Sequence, residues 1–504
     1  MLHQMILGFD SLFTLDGMLM ILFGSVLGTF VGAIPGLGGA VLMTMLLPFI
    51  YGMPVIPALC LLLAAHSGIY FSGSVTAILL NTPGAPESAA TTFDGYAMTR
   101  RGQAKRALGI SALSTTVGGW IGVGLLLIVI PFMFQLIKLF QPSEYLVLAI
   151  LAIVLIGQMR SGSMTKGLLS GLFGLMMSFV GYDPITGVQR FTFHQLALYN
   201  GFNITAVALG IFAFAEMFHL YSLKRARTDA ANVNLLGRTP GSGVLDGIKD
   251  VLAHPWLMIR SAILGTLLGV VPGIGGVAAN FISYGQAMKT SKHPEKFGTG
   301  IPEGIIAPES SSISKEAGNL VPTVALGVPG GVGMAVLMSG FTILGIVPGP
   351  SMLKSNLDAV FAMAFVIAIG SLLSSAMGLA IVPLLARISR VRSAILVPFI
   401  FALAALGSYA ADQSMGQVIA VFGFGIVGLL MKRFNYSVPA AMIGFILGSV
   451  AEQNLYLTQQ LFGLSMFKRP LTDFMILVIL FVVLNPYLKR FRRTPVGAKG
   501  EMSA

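Results

Sequence analysis

Apolar residues run through this chain in long blocks separated by short polar joints. The blocks cover 15–34, 36–51, 54–80, 83–98 (a weak one), 107–137, 143–159, 163–181, 201–221, 257–271, 273–288, 317–346 (broken), 358–386, 393–411, 414–431, 437–451 and 472–488. A straight helical crossing of a bilayer takes about 20 apolar residues. Several blocks are shorter than that and cluster around Pro-Gly pairs, the pattern of half-helices or re-entrant hairpins. The expectation is an all-α polytopic membrane protein with roughly a dozen crossings, some of them broken.

The pattern also repeats. Residues 24–40 read GSVLGTFVGAIPGLGGA and residues 261–277 read SAILGTLLGVVPGIGGV, identical at Leu27, Gly28, Thr29, Gly32, Pro35, Gly36, Gly38 and Gly39. Thr82-Pro83-Gly84 and Val328-Pro329-Gly330 form a second pair in the same order at nearly the same spacing. Two motifs in register predict an internal duplication. Loop charge predicts its sense, because basic loops stay cytoplasmic. Residues 99–106 (TRRGQAKR) are basic and their counterpart at 348–358 is not, whereas 289–296 (KTSKHPEK) and 387–392 (RISRVR) are basic opposite near-neutral 50–56 and 138–144. Arg160 and Lys166 stand opposite Asp412. The bias alternates, so two inverted-topology repeats are predicted, 1–221 and 257–488. A cytoplasmic connecting loop (222–256) joins them, and a basic cytoplasmic tail (489–504) follows. The N-terminus is predicted on the periplasmic side. It lacks the basic n-region of a cleaved signal peptide, so the first apolar run is expected to stay.

Composition agrees with a bilayer as solvent. Of 504 residues 55% are hydrophobic and only 10% charged, where soluble domains carry about a quarter. The net charge of +12 sits in short clusters between apolar runs, which points away from nucleic acid. The lone Cys60 lies within an apolar run and offers neither a disulfide nor a metal site.

Four Pro-Gly sites carry the candidate chemistry: Pro35-Gly36-Leu37-Gly38-Gly39, Asn81-Thr82-Pro83-Gly84, Pro272-Gly273-Ile274-Gly275-Gly276 and Pro329-Gly330-Gly331. Each precedes a helix-compatible stretch. A helix start offers free N–H groups and positive dipole character, and glycine permits close approach, so such ends aimed at one cavity can hold an anion. Asn81, Thr82 and Ser88 would add donors. Helix packing alone is the competing use of these glycines. No Lys-Ser/Thr follows them, which excludes a phosphate loop, and neither HExxH nor GxSxG occurs. His66 reads as a hydrogen-bonded structural histidine or a proton relay. The polar stretch 307–317 (APESSSISKEA) lies beside a broken segment. Its Ser310, Ser311, Ser312, Ser314 and Lys315 are candidates for holding a coupling ion or a carboxylate, or they form a solvated loop.

These residues resemble the large membrane subunit of the tripartite tricarboxylate transporter (TctA) family. The likeness runs through Gly32-x-x-Pro35-Gly36-Leu37-Gly38-Gly39, Asn81-Thr82-Pro83-Gly84-x-Pro86, Asp94-Gly95-Tyr96 and Gly102-x-Ala104. It continues in Pro272-Gly273-Ile274-Gly275, Phe297-Gly298-x-Gly300, Ala307-Pro308-Glu309, Leu326-Gly327-x-Pro329-Gly330 and Pro348-Gly349-Pro350, and spans roughly 15–470. The resemblance implies an inner-membrane secondary transporter without cofactor, partnered by a small four-helix membrane subunit. It also implies a periplasmic solute-binding protein that delivers a di- or tricarboxylate, and a sodium or proton gradient that drives uptake. The chain departs from the family after Glu309, where small residues and an Asn pair are usual; Lys315 there stands in for a coupling cation or pairs an extra carboxylate. Alternating access around the Pro-Gly ends is the expected mechanism. A passive anion channel, a membrane-embedded enzyme and a non-transporting scaffold are the rivals; an enzyme would require an acid/base or metal set that the sequence lacks.

Overall fold

The computed structural model describes residues 1–157, 164–183, 185–222, 243–272, 276–388 and 393–491. The described residues are mostly helical. Among the described residues the strands are Gly181–Tyr182 and Gln189–Arg190, an antiparallel pair in a surface loop. Five described helices are long and apolar enough to cross a membrane, six if the pair Val244–Ala253 and Pro255–Val270, bent by 80°, counts as one span. Shorter apolar helices such as Gly39–Leu46, Gly276–Thr290 and Val332–Ile343 fall below the length of a straight crossing.

Two helices form the centre: Val55–Leu80 and Glu303–Leu326. The first is apolar on every face, as a helix with no solvent side must be, and its small and hydroxyl residues meet neighbours all round. The second is far more polar, yet Gly304 through Ala325 are buried without a gap. The stretch 307–317 is therefore no loop: Ser310, Ser311, Ser312, Ser314 and Lys315 lie in mid-helix. Pro308 and Pro322 lack an N–H and so free the carbonyls one turn back, which loosens this helix locally without ending it.

Both central helices stop in the same way. Asn81 (φ 54°) and Gly327 (φ 69°) take the left-handed conformation that Asn and Gly tolerate best. Their N–H groups donate to Thr76 O and Pro322 O, and the next residues, Thr82 and Val328, donate to the same two oxygens at 3.5 and 3.2 Å. The outer helices repeat as well. Leu15–Gly32 lays Gly28 on Ala65 and Gly32 on Ile69; Pro255–Val270 lays Gly265 on Ser311 and Gly269 on Lys315. Backbones approach closely at these glycines, the usual way for helices to pack where water gives no hydrophobic drive.

The halves then exchange partners. Ala104–Ile137 packs its Gly118 and Gly122 on Ser310 and Ser314 of the second central helix. Leu357–Ala380 packs Gly370 and Gly378 on Ser67 and Phe71 of the first. An outer group containing Pro142–Gly157, Met415–Arg433, Val438–Leu461 and Pro470–Phe491 is pinned by ion pairs, Arg469 to Glu144 at 2.7 Å, Arg190 to Glu452 at 2.5 Å and Lys432 to Glu216.

Candidate functional site

The Pro-Gly breaks come together at the middle of the two central helices. Gly36 N–H donates to Gly84 O at 3.1 Å, and Gly84 N–H donates to Gly73 O, also at 3.1 Å, which stitches the first two breaks to the Val55–Leu80 helix. In the second half Gly330 N–H donates to Thr323 Oγ1 at 3.2 Å. A Cβ on Gly84 would run into Gly73, and one on Gly330 into Asn319, so only glycine lets each break lie this close to its helix. Gly39, Gly276 and Val332 then open short helices beside the same place. Gly273 and Gly275 lie outside the described residues.

What these breaks surround is charged. Lys315 Nζ is 2.8 Å from Glu316 Oε1 and 3.9 Å from Glu87 Oε1, and it stands 5.4 Å over the Tyr70 ring. Tyr70 OH donates to Glu316 Oε1, and Asn319 Nδ2 donates to Glu316 Oε2 at 3.1 Å. His66 Nε2 lies 3.3 Å from Glu316 Oε2 and 3.3 Å from Tyr70 OH. The His66 ring sits against Gly39 on one side and Gly333 on the other, and its Nδ1 is buried with no partner among the described residues. Gly276 holds the equivalent position against Lys315 and Glu87. With imidazole neutral, this cluster sets two carboxylates against one ammonium.

A second buried carboxylate lies two helical turns away. Glu309 and Glu316 are seven residues apart on one helix, hence on nearly the same face and about 10 Å apart along its axis. Glu309 is 2% exposed and accepts four hydroxyl hydrogen bonds. These come from Ser74 at 2.7 Å, Ser111 and Thr115 at 2.9 Å each, and Thr91. Among the described residues no basic side chain pairs with it.

The remaining predicted residues separate. Ser88 joins the Glu309 group through Ser74, the two Oγ atoms lying 3.1 Å apart. Asn81 is exposed and Thr82 donates to Leu80 O at 3.2 Å, so both finish the helix end instead of facing the charged cluster. Pro83 and Pro329 carry the chain through the breaks, and Gly331 abuts the Asn319 amide. Ser311 and Ser312 bond to Asn280, at 3.3 and 3.4 Å, and Asn280 also donates to the Glu87 carbonyl. Ser314 donates to Ser311 O at 3.3 Å, while the buried Ser310 hydroxyl has no partner among the described residues. Glu87, Glu309 and Glu316 are ionisable groups in or beside an apolar core, the signal by which the sequence could have marked them; Tyr70 and Asn319, which bond to Glu316, carry no such mark.

One further acid ties the halves. Asp94, fully buried, accepts from the N–H groups of Gly298 (3.1 Å), Gly300 (2.7 Å) and Ile301 (3.0 Å) and from Tyr284 OH (2.8 Å). Those glycines leave the amides of a tight turn free to converge on one carboxylate.

The family model described as the tripartite tricarboxylate transporter TctA family matches residues 18–443. A protein of Agrobacterium vitis named as an uncharacterized 52.8 kDa protein in the TAR-I ttuC' 3'region is 33% identical over 466 residues, 90% of this chain and 89% of the relative. An uncharacterized protein in the TAR-II ttuC' 3'region of the same organism is 32% identical over 191 residues, 38% of this chain and 79% of the relative. No solved structure matches.

Proposed function

Since the chain belongs to the tripartite tricarboxylate transporter TctA family and is a multi-pass membrane protein, we propose that it is the large permease subunit of an importer of small carboxylates. The observation that carries this reading is the convergence of Pro-Gly helix breaks from both halves on a buried cluster of Lys315, Glu316, His66, Tyr70 and Glu87. Breaks in membrane helices are tolerated where they line a protected polar site. The short helices that start at Gly39, Gly276 and Val332 begin beside this cluster, where helix starts favour an anion, and Lys315 and His66 add a cation and a donor-acceptor ring. A carboxylate entering there displaces the Glu316 or Glu87 contacts of Lys315.

The same cluster argues for ion coupling. Its one ammonium, Lys315, is already engaged by Glu316 and Glu87, so an anionic substrate entering there is better accommodated when positive charge comes with it. A sodium or proton gradient supplies that charge and the driving force. A periplasmic solute-binding protein that hands over the substrate and a small four-helix subunit complete the assembly in the inner membrane.

Inverted repeats fit the contacts. Tyr70 and Glu316 are 246 residues apart, the separation of the helix ends at Asn81 and Gly327. Equivalent positions of the two halves thus touch each other, as they do beside a two-fold axis. Along the first central helix Tyr70 meets Glu316 and Ser74 meets Glu309, so the two helices cross antiparallel. An axis that reverses the central helices lies in the membrane plane, the arrangement of inverted-topology transporters. The N-terminus then lies in the periplasm and the basic tail in the cytoplasm.

Reconstitution tests the reading. Proteoliposomes holding this chain and its two partner subunits are expected to accumulate a radiolabelled di- or tricarboxylate under an inward sodium or proton gradient. Lys315→Gln is expected to cut the rate at least tenfold. Flux that ignores the imposed gradient would make the protein a passive channel.

A further inference from the structure

Glu309 has an electrostatic problem that the rest of the fold leaves unsolved. Its four partners are neutral hydroxyls, it is buried, and no basic side chain among the described residues pairs with it. Taking one carboxylate out of water is costly even after relaxation, and four neutral donors return only part of that cost. A site built this way is completed by a positive charge from outside. We infer that Glu309, with the hydroxyls of Ser74, Thr91, Ser111 and Thr115, forms a binding site for one monovalent cation, a sodium ion or a proton.

The donor chemistry suits either source. All five groups offer oxygen, which is what a hard cation takes, and hydroxyls can accept as well as donate. To turn from donor to ligand each hydroxyl needs another acceptor for its proton. Ser74 has one in hand: its Oγ also lies 3.2 Å from Tyr70 O. Ser111 and Thr115, inside the Ala104–Ile137 helix, have the carbonyl one turn back that helical Ser and Thr ordinarily use. The oxygens come from four segments: Ser74 from the first central helix, Glu309 from the second, Thr91 from Thr91–Arg100 and the other two from Ala104–Ile137. A cation held there therefore ties both halves together.

Of the titratable groups on those elements, Arg100 and Lys105 are exposed and Tyr96 is half-buried, and the following are already engaged. Asp94 is held by the 298–301 amides and Tyr284, and Arg106 is 2.6 Å from Asp250. Lys315, Glu316, His66 and Tyr70 bond to one another, and His254 stands 3.7 Å from Glu303. The link to the charged cluster is short. Ser74 and Tyr70 are one turn apart on the first helix, and they meet Glu309 and Glu316 two turns apart on the second. Filling the Glu309 site adjusts the contact that holds Glu316 to Tyr70, beside Lys315. That this charge is the coupling ion of uptake rests on the transport reading; the binding itself does not.

Thermal unfolding of the full-length chain in detergent tests it. Sodium chloride is titrated against choline chloride at constant ionic strength, and a separate pH series is run without sodium. The wild type is expected to gain roughly 2–4 °C in midpoint with sodium, or with falling pH if the charge is a proton. Glu309→Gln keeps the shape, removes the charge and is expected to abolish the gain. A wild type that responds to neither, or a Glu309→Gln variant that responds fully, overturns the site. Should Glu309→Gln fail to fold, the milder pair Ser111→Ala with Thr115→Val decides: a half-saturating concentration raised about tenfold or more supports the site, and an unchanged one overturns it. Transport is scored apart from this, since a wild type that binds the cation but moves no carboxylate sinks the transport reading alone.

Discussion

Lys315 and Glu316 are the residues on which the site balances. Their ion pair is buried from both sides, and such pairs matter less for net stability than for what happens when one member is lost. Lys315→Met leaves Glu316 with Tyr70, Asn319 and His66 but no cation, and is expected to cost about 3–5 kcal/mol of stability. Glu316→Gln leaves the ammonium with Glu87 alone and is expected to cost a similar amount. The double variant removes both charges and is expected to recover most of the loss while uptake stays abolished. Thermal melts on the two single variants and the double variant check this; losses that simply add would mean the pair is not coupled. Lys315 stands out in the sequence because a lone lysine amid serines beside a broken helix is unusual. Glu316 stands next to it and carries more of the chemistry. Its partners are at positions 66, 70 and 319, and no pattern along the chain announces a contact between residues 70 and 316. His66, open between two roles in the sequence, touches Glu316 and keeps one ring nitrogen unpaired.

At the scale of elements, the Pro-Gly breaks were legible and the polar helix was not. Proline with glycine leaves little choice to a backbone, so the breaks fall where the sequence puts them. The stretch 307–317 leaves a polar site and a solvated loop equally open, because serines, Lys315 and two glutamates contradict a plain membrane interior. Tertiary contacts rule out the loop. Several of its polar groups find partners on neighbouring helices, Ser311 with Asn280, Glu309 with its four hydroxyls, Glu316 with its cluster, and a helix also satisfies the backbone there. The turn at 297–301 depends on a single group. Asp94 supplies three of its N–H groups with an acceptor, each charge-assisted bond being worth about 1.5–3 kcal/mol. Asp94→Ala is expected to unpin this turn from the Thr91–Arg100 helix. Hydrogen exchange is the measurement: the amides of Gly298, Gly300 and Ile301 should lose protection at least tenfold, while those in the middle of Val55–Leu80 keep theirs. Uniform loss across both segments would mean global destabilisation in place of a local latch.

For the whole molecule, the sequence shows two matching motifs, and a glycine of each makes a similar close contact, Gly28 on Ala65 and Gly265 on Ser311. The exchange of partners between halves was not visible. The helices that cover Ser310 and Ser67 come from the opposite halves, and glycines at 118 and 370 give no hint of which surface they will meet. That interleaving has a mechanical consequence. Neither central helix can shift without moving a helix of the other half; under the proposed transport reading, opening one side and closing the other are then a single event. This holds only if the two halves face opposite ways. Cys60 is the one native cysteine and is fully buried, so introduced cysteines are read on a quiet background. Tyr51→Cys, at an exposed joint of the first half, is expected to react with a membrane-impermeant maleimide in intact cells. Ser291→Cys, in the basic joint that matches it in the second half, is expected to react only after the membrane is opened. The two joints occupy equivalent places after the short helices Gly39–Leu46 and Gly276–Thr290, so labelling from the same side would make the duplication parallel, and the axis through Tyr70 and Glu316 would have to run along the membrane normal.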